Sequence, residues 1–433
     1  MRVTDIMREF DGETQELAIT ISASAEEVNF YAKKFFKEIA QRDIPGFRKG
    51  KAPRTVLEQN VGGHANAMGG VAEMLINEEG FKAIDAEGII FLNEPDFNVD
   101  DMLEEGQSFS FTVSGTVSPV MKLSSYEPVA IEMPSETATE AEIDAQIAEL
   151  REHYHSLVKI TDEDHIAADG DYVELVMTVT NDGKTVSGLR AASRMIGLGT
   201  GTMPESFDAQ LIGAKVGDIL DFDFEAKNED GTSPFGDGNL HANVEVTGFR
   251  KMVIPEGEEL AGKVGCLNMD ELRKDMAAGI NMQKVKDLPK IKVDRCVEAL
   301  IQRLEEEVPA YYVDFIRQDV GRELMQSFEK NGTSFQEYVL QNNIEAQKLK
   351  DYVSEEAARR AAIDCALEAL FVEQKLEVTE EDIAKMFEGD ENPEETRKAW
   401  EDAYRMANIY KMCRQSKATQ WLVDNAVVTV EAE

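Results

Sequence analysis

The sequence predicts a multi-domain α+β protein. An N-terminal α+β domain leads into a small antiparallel β domain with a short helix, and then an all-α C-terminal domain with helical arms. Two observations carry that prediction. A chain of 433 residues is longer than one hydrophobic core organises, and one domain per ~150 residues suggests about three. The spacing of apolar residues also changes along the chain, from mixed, to short strands cut by glycine turns, to an unbroken helical period. The expected segments are 1–115, a linker with a long helix over 116–165, 166–250 and 251–433.

Residues 14–22 alternate polar and apolar as a half-buried strand does. Ser24 with Glu27 three residues on forms a capping box, and Val28, Tyr31, Phe35 and Ile39 make the stripe of the helix that follows. A second helical region holds Val56, Leu57, Met74, Leu75 and Ile76, and strand-like pieces return at 89–92 and 109–117. From Pro134 to Val158 the pattern is one charged helix, a spacer with Ile143, Ile147, Leu150, Tyr154 and Leu157 on one face. Short strands are expected at 172–180, 219–224 and 243–249, with a turn at Asn181-Asp182-Gly183. Everything after Pro255 is helical by period. Its stripes are Val313, Ile316, Val320, Leu324 and Phe328; then Ile363, Leu367, Leu370 and Phe371; then Trp400, Tyr404, Ala407 and Cys413. Breaks are expected at Val308-Pro309, Asn331-Gly332 and 388–393.

Lysine and arginine number 45 against 84 aspartates and glutamates, so 45 − 84 gives a net charge of −39. That field repels nucleic acid and anionic membrane over most of the surface, so contact with RNA requires a locally basic patch. Neither DNA nor a membrane is expected as a partner. Charges at Arg2, Asp5, Arg8 and Glu9 interrupt any export signal, and no run of ~18 apolar residues spans a bilayer. A cytoplasmic address follows. Cys266, Cys296, Cys365 and Cys413 form no CxxC pair and read as small buried apolar residues. His153-Tyr154-His155 has no third ligand nearby, and no metal or cofactor is expected. The glycines Gly197, Gly199 and Gly201 read as a turn rather than a dinucleotide loop. Hydrolase and kinase signatures are absent.

One stretch departs from the acidic background. Residues 31–54 hold eight cations (Lys33, Lys34, Lys37, Arg42, Arg48, Lys49, Lys51 and Arg54) against Glu38 and Asp43. At its tip lies Gly46-Phe47-Arg48-Lys49-Gly50-Lys51-Ala52-Pro53, where glycines permit a tight excursion and prolines stiffen the flanks. A charged loop between helices is the bland reading, and a polyanion-docking finger the functional one. The eight residues resemble the ribosome-docking signature of trigger factors, glycine-phenylalanine-arginine-x-glycine-x-x-proline, at every fixed position. That resemblance, extended along the whole chain by its architecture, implies that Gly46, Phe47, Arg48, Lys49, Gly50 and Pro53 form a ribosome-binding site. Its partners would be a large-subunit protein and rRNA beside the polypeptide exit tunnel.

Residues Leu198–Asp218 resemble the core of FKBP-type peptidyl-prolyl isomerases, matching at Gly199, Gly201, Phe207, Gln210, Leu211, Gly213, Lys215 and Gly217. Such enzymes need an apolar wall that favours the twisted amide, not a nucleophile. Three wall elements depart: Val186-Ser187-Gly188-Leu189, Met203-Pro204-Glu205-Ser206, and the loop Asp230–Gly236. The expectation is a retained fold with weak or lost isomerase activity. If catalysis survives, Phe207, Met203, Leu211, Val186 and Phe235 would line it.

The segment after Val308-Pro309 resembles the arm helices of trigger factors. Stripes at helical spacing are usually core, yet arms with few neighbours leave apolar patches for unfolded clients. Val313, Ile316, Val320, Leu324 and Phe328 are the candidate contacts. The leading expectation is an ATP-independent, ribosome-associated chaperone for nascent and unfolded polypeptides, able to form a homodimer off the ribosome. A working prolyl isomerase and a non-ribosomal assembly scaffold are the alternatives.

Overall fold

The computed structural model describes residues 2–10, 13–99, 101–162, 164–181, 183–186, 189–225, 239–330, 332 and 346–431. They fall into two units, one of residues 1–134 with 289–433 and one of residues 135–288. These units are drawn differently from the four expected segments, because the helices at 257–288 gather with 135–253 rather than with the C-terminal helices.

The first unit begins with an antiparallel hairpin, β1 (Arg2–Phe10) and β2 (Gln15–Ala23). Leu17, Ile19, Ile21 and Ala23 of β2 are fully buried in alternation, as a strand with one wet face requires. Ser24 and Glu27 close the capping box of α1 (Ala25–Ile39): the Ser24 amide donates to the Glu27 carboxylate at 2.7 Å, and the Glu27 amide to Ser24 Oγ at 3.3 Å. Next come α2 (Arg54–Asn60), α3 (His64–Leu75), a π-helical turn at Ile76–Gly80 and α4 (Phe81–Ala86). The strands β3 (Asp96–Asn98) and β4 (Phe109–Thr116) complete a sheet of order β1-β2-β4-β3. One core joins β2 and β4 to α1 and α3 through Val28, Tyr31, Ile39, Met68, Val71, Leu75, Phe111 and Val113. Two differences stand out. β1 was not expected, and of the strand expected at 89–92 only Phe91 is bridged, to Val117. Further on lies β5 (Ala130–Met133).

In the second unit α5 (Glu140–His153) stops short of the expected helix, and Leu157 belongs to a strand, β6 (Ser156–Lys159). Pairing with a later strand, Asn239–Val253, overrides the helical spacing that Tyr154 and Leu157 happen to continue. The sheet is built from β7 (Asp171–Asn181), β8 (Lys184–Thr185), β9 (Ala192–Gly197), β10 (Ile219–Glu225) and the long β11 (Asn239–Val253), with α6 (Glu205–Leu211) between β9 and β10. β11 pairs with β7 along most of its length, with β10 at one end and β6 at the other. Helix α5 is not a bare spacer: Ile143 and Ile147 pack with Leu260 of α7 (Gly257–Val264) and Leu272 and Ile280 of α8 (Met269–Ile301).

The rest of the first unit is helical. α9 (Ala310–Lys330) packs along α10 (Ala346–Glu373), followed by α11 (Glu380–Lys385), α12 (Pro393–Asp402) and α13 (Met406–Asn425). The stripe expected through Trp400, Tyr404, Ala407 and Cys413 spans two helices, broken where Tyr404 turns to φ +53°. The chain then leaves the helical pattern altogether: β12 (Val427–Val430) pairs in parallel with β5. Cys296, Cys365 and Cys413 are buried and Cys266 is half-buried, all four as free thiols.

Candidate functional site

The basic finger is assembled from two consecutive glycine turns between α1 and α2. Ile44, buried against the core, plugs its base. The Phe47 amide donates to Ile44 O at 3.1 Å across Pro45-Gly46, with Gly46 at φ +83°. Proline followed by a positive-φ glycine is the signature of a type II turn. The Lys51 amide repeats the arrangement to Arg48 O at 3.0 Å across Lys49-Gly50, with Gly50 at φ +77°. A third bond, Gly50 N–H to Ala40 O at 2.7 Å, ties the far turn to the end of α1. Pro53 then caps α2. An L side chain at either glycine would be strained, so the six signature positions divide into a frame (Gly46, Gly50, Pro53) and a presented trio (Phe47, Arg48, Lys49).

The trio faces water. Phe47 is 42% exposed. Arg48 is exposed, and Lys49 Nζ lies 3.4 Å from Asp43 Oδ1 with both side chains mostly in solvent. Such a surface pair holds little energy and leaves the cation available. Lys33, Lys37, Arg42, Arg48 and Lys51 have no ion pair among the described residues, whereas Lys34 is tied to Glu78 and Arg54 to Glu58 and Glu105. Arg54–Glu58 is a local pair four residues apart, but Glu78 and Glu105 lie 44 and 51 residues from their cations and carry no local signal.

The isomerase-like residues are placed differently. Phe207 is 0% exposed, and Leu211 and Met203 are buried with it in the core of the β domain. The Phe207 ring meets Phe224 edge-on at 5.0 Å and Phe222 at 5.3 Å. Val186 is half-buried against the same core, and Phe235 lies outside the described residues, as does the whole Asp230–Gly236 loop. Glu205, within one of the segments that depart from the isomerase pattern, is exposed at the start of α6. One buried carboxylate of this domain is Asp208, beside Phe207 in the chain, which sequence reasoning missed. Its Oδ2 accepts the Gly199 amide at 3.0 Å while Oδ1 has no partner among the described residues. Burial pushes its carboxyl above the ordinary value, and the nearby Asp169 and Glu205 add to the rise against the Gly199 bond.

On the arm, Val320 and Phe328 are buried, while Val313, Ile316 and Leu324 are half-buried. The side chains of this pair that stand out in water include Met325 on α9 and Tyr352 on α10. At the root, Tyr312 is fully buried and donates to Asp364, which also accepts from Lys411 at 2.7 Å and from Gln415. This network joins α9, α10 and α13. Among the described residues no three His, Cys, Asp or Glu are grouped to hold a metal, and no helix is long and apolar enough to cross a membrane.

Comparison with known proteins gives the same family over both ends of the chain. The family described as "Bacterial trigger factor protein (TF)" matches residues 8–150, and "Bacterial trigger factor protein (TF) C-terminus" matches residues 268–424. The trigger factor of Bacillus mycoides is 28% identical over 369 residues, 84% of this chain and 86% of that protein. The trigger factor of Bacillus cytotoxicus is 27% identical over 417 residues, 94% of this chain and 96% of that protein. A solved trigger factor chaperone structure is similar at 18% identity and a TM-score of 0.42, over 97% of this chain and 99% of that one. With the docking signature intact on an exposed finger, two family matches flanking the β domain and relatives aligned nearly end to end, the chain belongs to the bacterial trigger factor family.

Proposed function

We propose that this ribosome-associated chaperone docks through Phe47, Arg48 and Lys49 on a protein and rRNA of the large subunit beside the exit tunnel, and there holds nascent and unfolded polypeptides without ATP. The observation that carries the reading is the exposed Phe47 among cations on a body of net charge −39. An aromatic fills a protein pocket, and arginine suits phosphate forks. Holding rests on many small apolar contacts that select no particular sequence, with the ribosome supplying local concentration. The half-buried Val313, Ile316 and Leu324 are the arm residues we assign to clients, whereas Val320 and Phe328 reach clients only if α9 and α10 part.

The site of action is the cytoplasm, and a homodimer is the state we assign off the ribosome. Phe207, Met203 and Leu211 are packed among their own neighbours, which favours holding over prolyl isomerisation. Co-sedimentation of the full chain with large subunits tests the docking, and binding that survives Phe47→Ala, Arg48→Ala and Lys49→Ala together overturns it.

A further inference from the structure

Resting on the docking reading, we infer that Arg54 and Glu105 form a clamp that positions the finger without touching the ribosome. Arg54 directly follows Pro53 and is the first residue of α2, so its anchorage sets where the finger's second limb leaves the domain. Its guanidinium makes a fork with Glu105, Nη1 to Oε2 at 2.8 Å and Nη2 to Oε1 at 2.6 Å. Nε donates to Glu58 at 3.0 Å. The plane lies 4.4 Å over the Phe36 ring of α1. Three elements therefore meet on one side chain.

Glu105 is itself held. The Gly106 amide beside it donates to Asn29 Oδ1 of α1 at 3.0 Å, which straps the turn before β4 to the helix that carries the finger's first limb. An isolated surface ion pair contributes little, but a forked arginine stacked on a ring fixes direction as well as distance. The clamp spends its cation inside the domain, unlike Arg48 and Lys51. A finger fixed before docking loses less freedom on binding than a loose one.

Glu105→Ala distinguishes the clamp from simple electrostatics. Removing an acid beside a cationic docking surface strengthens attraction to rRNA if charge alone matters; if the clamp positions the finger, binding weakens. Full-length Arg54→Ala and Glu105→Ala are expected to bind purified large subunits about three- to tenfold more weakly, the scale of one forked pair with its ring contact. The double variant is expected to be no weaker than the weaker single one. Arg54→Lys keeps the charge, loses the fork and should match Arg54→Ala. The slope of log affinity against log salt should stay at the unaltered value in all of them, whereas Arg48→Ala lowers it by about 1, as a lost phosphate contact does. Unchanged or tighter binding by Glu105→Ala, full binding by Arg54→Lys, or a reduced slope for Arg54→Ala overturns the clamp alone. Full binding by the Phe47, Arg48 and Lys49 triple variant overturns the docking reading and the clamp with it.

Discussion

The finger at residues 44–53 resembles a docking signature at every fixed position, Leu198–Asp218 of the β domain resembles an isomerase core at eight positions while departing from it at Met203–Ser206, and the structure uses the matched residues in opposite ways. In the finger, glycines and prolines are frame, and the matched Phe47 and Arg48 are presented to solvent. In the β domain, the matched Phe207 and Leu211 are core, sealed against Phe222 and Phe224. A shared pattern therefore means two different things. Where the matched side chain is exposed on a fixed backbone, the pattern describes a surface for a partner; where it is buried among its own neighbours, it describes what the fold needs in order to form.

The largest expected effect lies on the finger. Truncating Phe47, Arg48 and Lys49 together is expected to weaken binding to large subunits by about 100-fold or more, since an aromatic anchor and two cations are lost from the centre of one contact. The same variant should melt within about 0.5 kcal/mol of the unaltered chain, as exposed substitutions do. Co-sedimentation and calorimetry read the two halves. A large loss of stability would mean that the finger is core after all, and the comparison would break there.

Phe207→Ala is the mirror experiment. It should destabilise the β domain by about 3–5 kcal/mol, the cost of a cavity left by a buried phenylalanine, and leave ribosome binding of the folded chain unchanged. If Phe207 were a pocket wall instead, the same change would cost little stability and remove any acceleration of a proline-limited refolding reaction. We expect the unaltered chain to give no such acceleration, measured against the uncatalysed rate of the same substrate.

How far the fold could be read from the sequence depended on whether the signal was local. The capping box at Ser24 and Glu27, the alternation of Leu17 to Ala23 and the turns at Gly46 and Gly50 are local, and the structure keeps them. The helical spacing of Tyr154 and Leu157 predicts helix where β6 lies, and only the register of Ser156–Lys159 on β11 decides otherwise. β1 is exposed along most of its length, so no apolar alternation marks it. β12 did carry a signal, the β-branched run Val427-Val428-Thr429-Val430, outweighed by the helical pattern before it. At the site, the presented trio was legible in eight consecutive residues. The distant partners of Lys34 and Arg54 were not, because Glu78 and Glu105 reach them only through the tertiary fold.

The smallest effect sharpens the comparison from the side of charge. The finger keeps its ionised groups in water, whereas the β domain buries Asp208 with Oδ1 unpaired among the described residues. Because burial raises this carboxyl in the folded chain, the native state holds its proton to higher pH than the unfolded chain does. Stability from this group is therefore present below the ordinary value of 3.8 and falls as pH rises through the folded value. Asp208→Asn cannot titrate, so its melting temperature should decline less than that of the unaltered chain from about pH 4 to 7. The replacement can still accept the Gly199 amide, which leaves the loss of titration as the main change. Parallel melting curves across that range would mean that Asp208 ionises as freely as a surface aspartate. The contrast between a dry β-domain core and a wet finger would then fail at Asp208.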